Sequence, residues 1–182
     1  MWWVDRHMVA RLLAIASLGA LLGGCFQPMY AESTVPGSPG LRDKLAGVEV
    51  GTVSAKSKDA RLGVAVKNAL AFDLYGAATG GAPTHVIEIR LVTNVESVII
   101  DNITARPDIE NYGIDATYSL KEVATNKIVL TGQTFAHVSF DIPGQEQRFA
   151  RARGLRDAED RATQEIADNI SHRMASYFVA GG

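Results

Sequence analysis

Residues 111–140 read NYGIDATYSLKEVATNKIVLTGQTFAHVSF. In the first half Tyr112, Ile114, Ala116, Tyr118 and Leu120 alternate with Asp115, Thr117, Ser119 and Lys121. In the second, Ile128, Leu130, Ala136, Val138 and Phe140 oppose Thr131, Gln133 and His137. Alternation over such lengths describes strands with one buried and one wet face. The short Ala124-Thr125-Asn126 segment between them predicts an antiparallel hairpin over Asn111–Val123 and Lys127–Phe140.

Upstream, His85–Ile100 continues the pattern, with Ile87, Ile89, Leu91 and Val95 set against Glu88, Arg90 and Glu96. Before the Ala77–Pro83 loop, Leu62, Val66, Leu70 and Leu74 recur every fourth residue beside Ala65 and Ala69. That stripe predicts a helix capped by Ser57 or Asp59 and stopped at Gly76. Leu45, Val48, Val50 and Val53 predict a strand over Leu45–Ser54. Downstream, Ala158, Ala162, Ile166, Ile170, Met174 and Phe178 line a long helix over Glu146–Val179. Its outer face carries the i,i+4 pairs Asp157–Arg161 and Arg161–Glu165. The order is β-α-β-β-β-α. Two helices cover one face of a four-stranded mixed sheet, so the expected fold is a two-layer α+β sandwich. The uncovered face reads as Thr, Ser, Gln, Asn and His with scattered aliphatics such as Val92 and Val129: either a solvated surface or one that another protein encloses.

The chain has 182 residues, a net charge of −2 and a single cysteine. The charge gives no global attraction to nucleic acid, and the cysteine count excludes a disulfide framework and a thiolate-rich metal site. His7, His85, His137 and His172 fall on separate segments without metal-ligand spacing. Asp157, Glu159 and Asp160 sit beside Arg156 and Arg161, the pattern of a salt-bridged helix face. The glycine-rich run 76–81 follows a helix and lacks the Lys-Ser/Thr ending of a phosphate loop. No nucleophile, base and oxyanion hole come together. The expectation is a binding or structural role without cofactor, metal or catalysis. Lys121 and Lys127 flank the hairpin turn and are expected to lie close together as an anion site. Arg106 and the Arg148, Arg151, Arg153, Arg156 cluster are further candidates, solubilising charge being the alternative for all.

At the N-terminus a weakly basic stretch (Arg6, His7, Arg11) precedes an apolar run ending in Leu22-Gly23-Gly24-Cys25. The run, about 13 residues, falls short of the roughly 20 needed to cross a bilayer. It is organised as a secretory signal, and its end resembles the lipobox of bacterial lipoproteins, an ordinary signal peptide with a chance cysteine being the alternative. The resemblance implies cleavage before Cys25 and acylation there, palmitate included. Residues 1–24 are then signal peptide, 25–44 a Pro/Gly-rich lipidated tether, and 45–180 one domain. In lipoproteins of two-membrane envelopes, Asp after the cysteine commonly retains the protein in the inner membrane, so Phe26 there implies, by the same resemblance, the outer membrane and its periplasmic face.

The segment Cys25-Phe26-Gln27-Pro28-Met29-Tyr30 resembles the mature N-terminus of the LptE family, though it lacks the Gly after Cys and has Met for Leu. Arg156-Asp157-Ala158-Glu159-Asp160-Arg161-Ala162, continuing through Glu165–Ile170 to Tyr177-Phe178, is similar to that family's terminal helix. The resemblance implies a lipoprotein that plugs and helps assemble the LptD β-barrel and takes part in lipopolysaccharide insertion into the outer leaflet. Lipopolysaccharide and an LptD-type barrel are then the partners. It does not transfer the lipopolysaccharide contacts, for which Lys121, Lys127 and Arg106 stand as candidates. A periplasmic envelope lipoprotein binding a small ligand or peptidoglycan, without a barrel, is the alternative. An envelope hydrolase is third.

Overall fold

The computed structural model describes residues 39–76, 82–101, 106–142 and 148–181. Cys25, the signal and nearly all of the tether lie outside them. A short helix α1 (Leu41–Ala46) opens the described chain. Its start is fixed by the Asp43 carboxylate, which accepts the Gly40 N–H at 3.2 Å. Leu45 is buried. These residues were assigned above to the end of the tether and the start of a strand. Leu41 and Leu45 are spaced i,i+4, so both turn inward on a helix, and the strand begins only at Val48.

Strand β1 (Val48–Ser54) is followed by a 3₁₀ turn at Ser57–Asp59 and helix α2 (Ala60–Tyr75). β1 runs parallel to β2 (His85–Asp101), so α2 is the crossover that parallel pairing demands. Leu62, Val66, Leu70 and Leu74 are buried, and Gly76 ends the helix at φ +74°. Asp59 stands at the N-cap position but makes no side-chain cap. Its carboxylate instead accepts the Thr93 hydroxyl of β2 at 2.8 Å. Gly63 lets α2 sit close on β1: a Cβ there would meet the Val53 carbonyl oxygen at 3.3 Å.

β2, β3 (Arg106–Glu122) and β4 (Ile128–Asp141) form an antiparallel meander, and the sheet order is β1-β2-β3-β4. Helix α3 (Arg148–Val179) has 32 residues, about 48 Å at ~1.5 Å per residue. α2 and α3 pack on one face of the sheet. Ala158, Ala162, Ile166, Ile170, Met174 and Phe178 of α3 join Ile87, Ile89, Leu91, Ile114, Ala116, Leu120, Ala136 and Val138 in a single core. The two-layer α+β architecture read from the sequence is the observed one.

Two inward assignments and one strand boundary differ in detail. Val95 is 48% exposed. β1 stops with Ser54 opposite Arg90, so beyond that point β2 has no neighbour on one side. Ile128 is 61% exposed. The register shifts from Leu120↔Leu130 to Lys121↔Ile128, and the extra residue turns Ile128 toward the open face. β3 starts at Arg106 rather than Asn111, pairing with β2 out to Asp101.

Candidate functional site

With both helices on one side, the other side of the sheet is a broad open face. Strand register sets its rows. Ser54, Arg90, Thr117 and Gln133 lie across all four strands, and Glu88, Ser119 and Thr131 form the next row over three. Between them runs an open trough of about 720 Å³ lined by Thr52, Ser54, Glu88, Arg90, Thr117, Ser119, Thr131 and Gln133. A smaller depression of about 380 Å³ adjoins it, bordered by Val92, Asp115, Thr134 and Phe135. Phe135 is 63% exposed, its ring 5.5 Å from that of His137. Most of the residues lining the trough carry a hydroxyl or amide. Among the described residues, Glu88 and Arg90 are the charged side chains that line it.

Further along the face, the Asn94 side chain lies over Gly113, where a Cβ would collide with it and with His137. Asn94 Nδ2 donates to Glu96 at 3.2 Å, while Oδ1 is buried without a partner among the described residues. The Ser139 hydroxyl donates to Asn111 at 2.5 Å. On the helix side, the Tyr118 ring crosses Gly132. Burial raises the Tyr118 phenol and pushes Tyr112 up to about 12, so both stay neutral.

Lys121 and Lys127 do not form the clamp expected of them. Lys121 pairs with Ile128, whereas the Lys127 carbonyl oxygen accepts the Glu122 N–H at 2.9 Å. The two lysines therefore occupy alternate positions of the ladder, whose side chains leave opposite faces. The turn is a tighter unit in which Asn126 takes φ 58° and the Thr125 hydroxyl donates to Glu122 at 2.5 Å. Arg106 lies at the other end of β3, opposite Asp101.

The arginines of α3 are divided. Arg151 pairs with Glu110 at 2.7 Å, and Arg156 approaches Glu159 at 4.0 Å. Arg153 borders a shallow surface with Phe149, which is 89% exposed. The carboxylates of α3 are structural. Arg61 of α2 bridges Glu159 and Asp160, and Arg161 turns back to Asp157 at 2.8 Å. The Arg61 link between helices and the buried Glu110 had no signal in the spacing, since each needs the tertiary register. Among the described residues no group of three or more His, Cys, Asp or Glu side chains could hold a metal. No described helix is long and apolar enough to cross a membrane.

Solved structures share this architecture. A lipoprotein candidate from Caulobacter crescentus CB15 superposes with a TM-score of 0.62 at 18% identity, covering 79% of this chain and 98% of its own. Lipoprotein B from Nitrosomonas europaea gives 0.55 at 10% identity, covering 83% and 95%. Rare lipoprotein B from Shewanella oneidensis gives 0.52 at 12%, covering 71% and 96%. At these identities the likeness is one of fold. No protein-family model and no curated protein matches the sequence.

Proposed function

We propose that the chain is an LptE-type lipoprotein: acylated at Cys25, held on the periplasmic face of the outer membrane, and docked inside an LptD-type β-barrel to assist lipopolysaccharide insertion. The observation that carries this reading is the bare sheet face. A four-stranded sheet covered on one side offers a wide, hydrogen-bonding surface in which Glu88, Arg90, Glu96, Asp115 and Lys121 are spaced among hydroxyls and amides, suited to a hydrated barrel wall. Burying unpaired charge there would be costly, whereas hydroxyls and amides find partners or bridging water. The Leu22–Cys25 lipobox resemblance and the fold shared with lipoproteins support the anchor. Lys121, Lys127 and Arg106 remain separate candidates for lipopolysaccharide phosphates, each engaging one group as a point charge or fork rather than as a joint clamp.

The test is co-purification from detergent-solubilised outer membranes. The native chain is expected to bring down a large barrel. Thr117→Glu and Ser119→Lys, in the middle of the open face, are expected to release it while circular dichroism stays native. Recovery of the chain alone from native membranes would favour the second reading, in which the trough of about 720 Å³ takes a small polar ligand.

A further inference from the structure

β4 is an edge strand, paired only with β3 among the described residues. Edge strands expose a row of unpaired N–H and C=O groups, and soluble proteins usually blunt them with lysine, proline or bulges. From Ile128 to Phe140 this edge has no charged residue and no proline.

Two features bound its free part. At the start, the register shift between Leu120 and Lys121 leaves Val129 as the extra residue of a bulge. At the end, the Arg161 guanidinium of α3 donates to the Ser139 carbonyl oxygen at 3.4 Å, and Gly154 packs close to the Asp141 carbonyl. Ser139 therefore turns its carbonyl away from β3. Because backbone groups alternate along an antiparallel strand, Thr131, Gln133, Phe135 and His137 point theirs outward in the same way. No side chain caps these four carbonyl oxygens among the hydrogen bonds of the described residues. The open window is Thr131–His137, and its midpoint is Thr134.

We propose that this window pairs with the same window of a second copy, antiparallel about a two-fold axis at Thr134. Self-pairing is the occupancy the edge composition favours. A strand with no charge meets its own copy without like-charge opposition. The symmetric register sets Gln133 against the partner's Phe135 and Thr131 against the partner's His137. It keeps Arg161 and the bulge outside the ladder. The exposed Phe135 ring gains cover, and two four-stranded sheets become one continuous sheet. Such an interface is isologous and closed, so it stops at a dimer. It concerns the free chain and stands whether or not the chain enters a barrel.

Sedimentation of the full mature chain in detergent, over a concentration series, tests this. The native chain is expected to dimerise. Gln133→Lys combined with Phe135→Lys places like charges opposite each other twice and is expected to weaken the dimer about tenfold or more. Mixing that variant with one carrying Gln133→Glu and Phe135→Glu is expected to restore a mixed dimer, with each variant alone retaining native circular dichroism. Hydrogen exchange separates strand pairing from looser contact. The amides of Thr131, Gln133, Phe135 and His137 are expected to slow with concentration, while those of Gly132, Thr134 and Ala136, already facing β3, stay unchanged. A native chain that is monomeric throughout would overturn the proposal. So would a dimer indifferent to both charge pairs, or capture of this edge only by a different chain.

Discussion

Asp73 shows how one side chain can carry a cost of folding. It sits on α2 facing α3, where burial raises its carboxyl above the usual range and the nearby charge of Asp168 raises it further. Its Oδ2 has no partner among the described residues, and Gln164 and the charge of His172 offset only part of the rise. A raised carboxyl binds its proton more tightly folded than unfolded. Stability therefore falls as pH rises from the unfolded value through the folded one, and the deficit is complete above it. Asp73→Asn is expected to raise the melting temperature at pH 7 and to lose that advantage in strong acid. His85 works in the opposite sense. Burial lowers its pKa, with Thr84 Oγ1 2.9 Å from Nδ1 and the Phe178 ring 5.2 Å away. Its neutral form is favoured on folding, so that stability is present above about pH 6.5 and drains as pH falls through the folded value. In His85→Gln the decline in melting temperature between neutral and mildly acidic pH is expected to be shallower than in the native chain.

Among the elements, α2 separates two kinds of contact. Leu70 is fully buried between the sheet and α3. Leu70→Ala is expected to cost about 2–5 kcal/mol in urea unfolding, from lost transfer energy plus the cavity left behind. Arg61 joins the same two helices through Glu159 and Asp160, but its side chain is 46% exposed. Arg61→Ala is expected to cost under about 1 kcal/mol, because water and salt screen such pairs. The contrast also explains what could be read from the chain. Leu62, Val66, Leu70 and Leu74 announced α2 because helix period depends only on local spacing. The strand faces were legible for the same reason, as was the polar character of the open face. Ile128 was misplaced because a single bulged residue reverses the phase of everything before it. Lys121 and Lys127 looked like neighbours because loop length does not reveal ladder parity. Leu45 was read into a strand because i,i+3 and i,i+2 spacings overlap over so few residues. The trough and the free β4 window needed the pairing of distant segments, which no local pattern encodes.

For the whole molecule, the anchor and the domain should be separable. Cys25 precedes the described chain, and the core runs from Leu45 to Phe178 without it. Cys25→Ser is expected to move the protein from membrane to soluble fractions with an unchanged melting curve. Mass spectrometry of the native N-terminus is expected to find a triacylated cysteine. The path of the chain also gives the domain a near pole and a far pole. Thr84 bonds Gly47, Val123 bonds Thr84, and Lys44 reaches the Phe178 carbonyl, so the first helix, the β3–β4 turn and the last turn of α3 gather together. β3 then carries the sheet away for 17 residues, about 56 Å at the strand rise. Lys121 lies at the pole where the described chain begins, while Arg106 starts β3 at the other. A body so elongated is a gauge of distance: a group held at one pole is out of range of the other. Under the proposed anchor, an anion at the near pole is one that travels close to the membrane, and one at the far pole has already moved the length of the sheet.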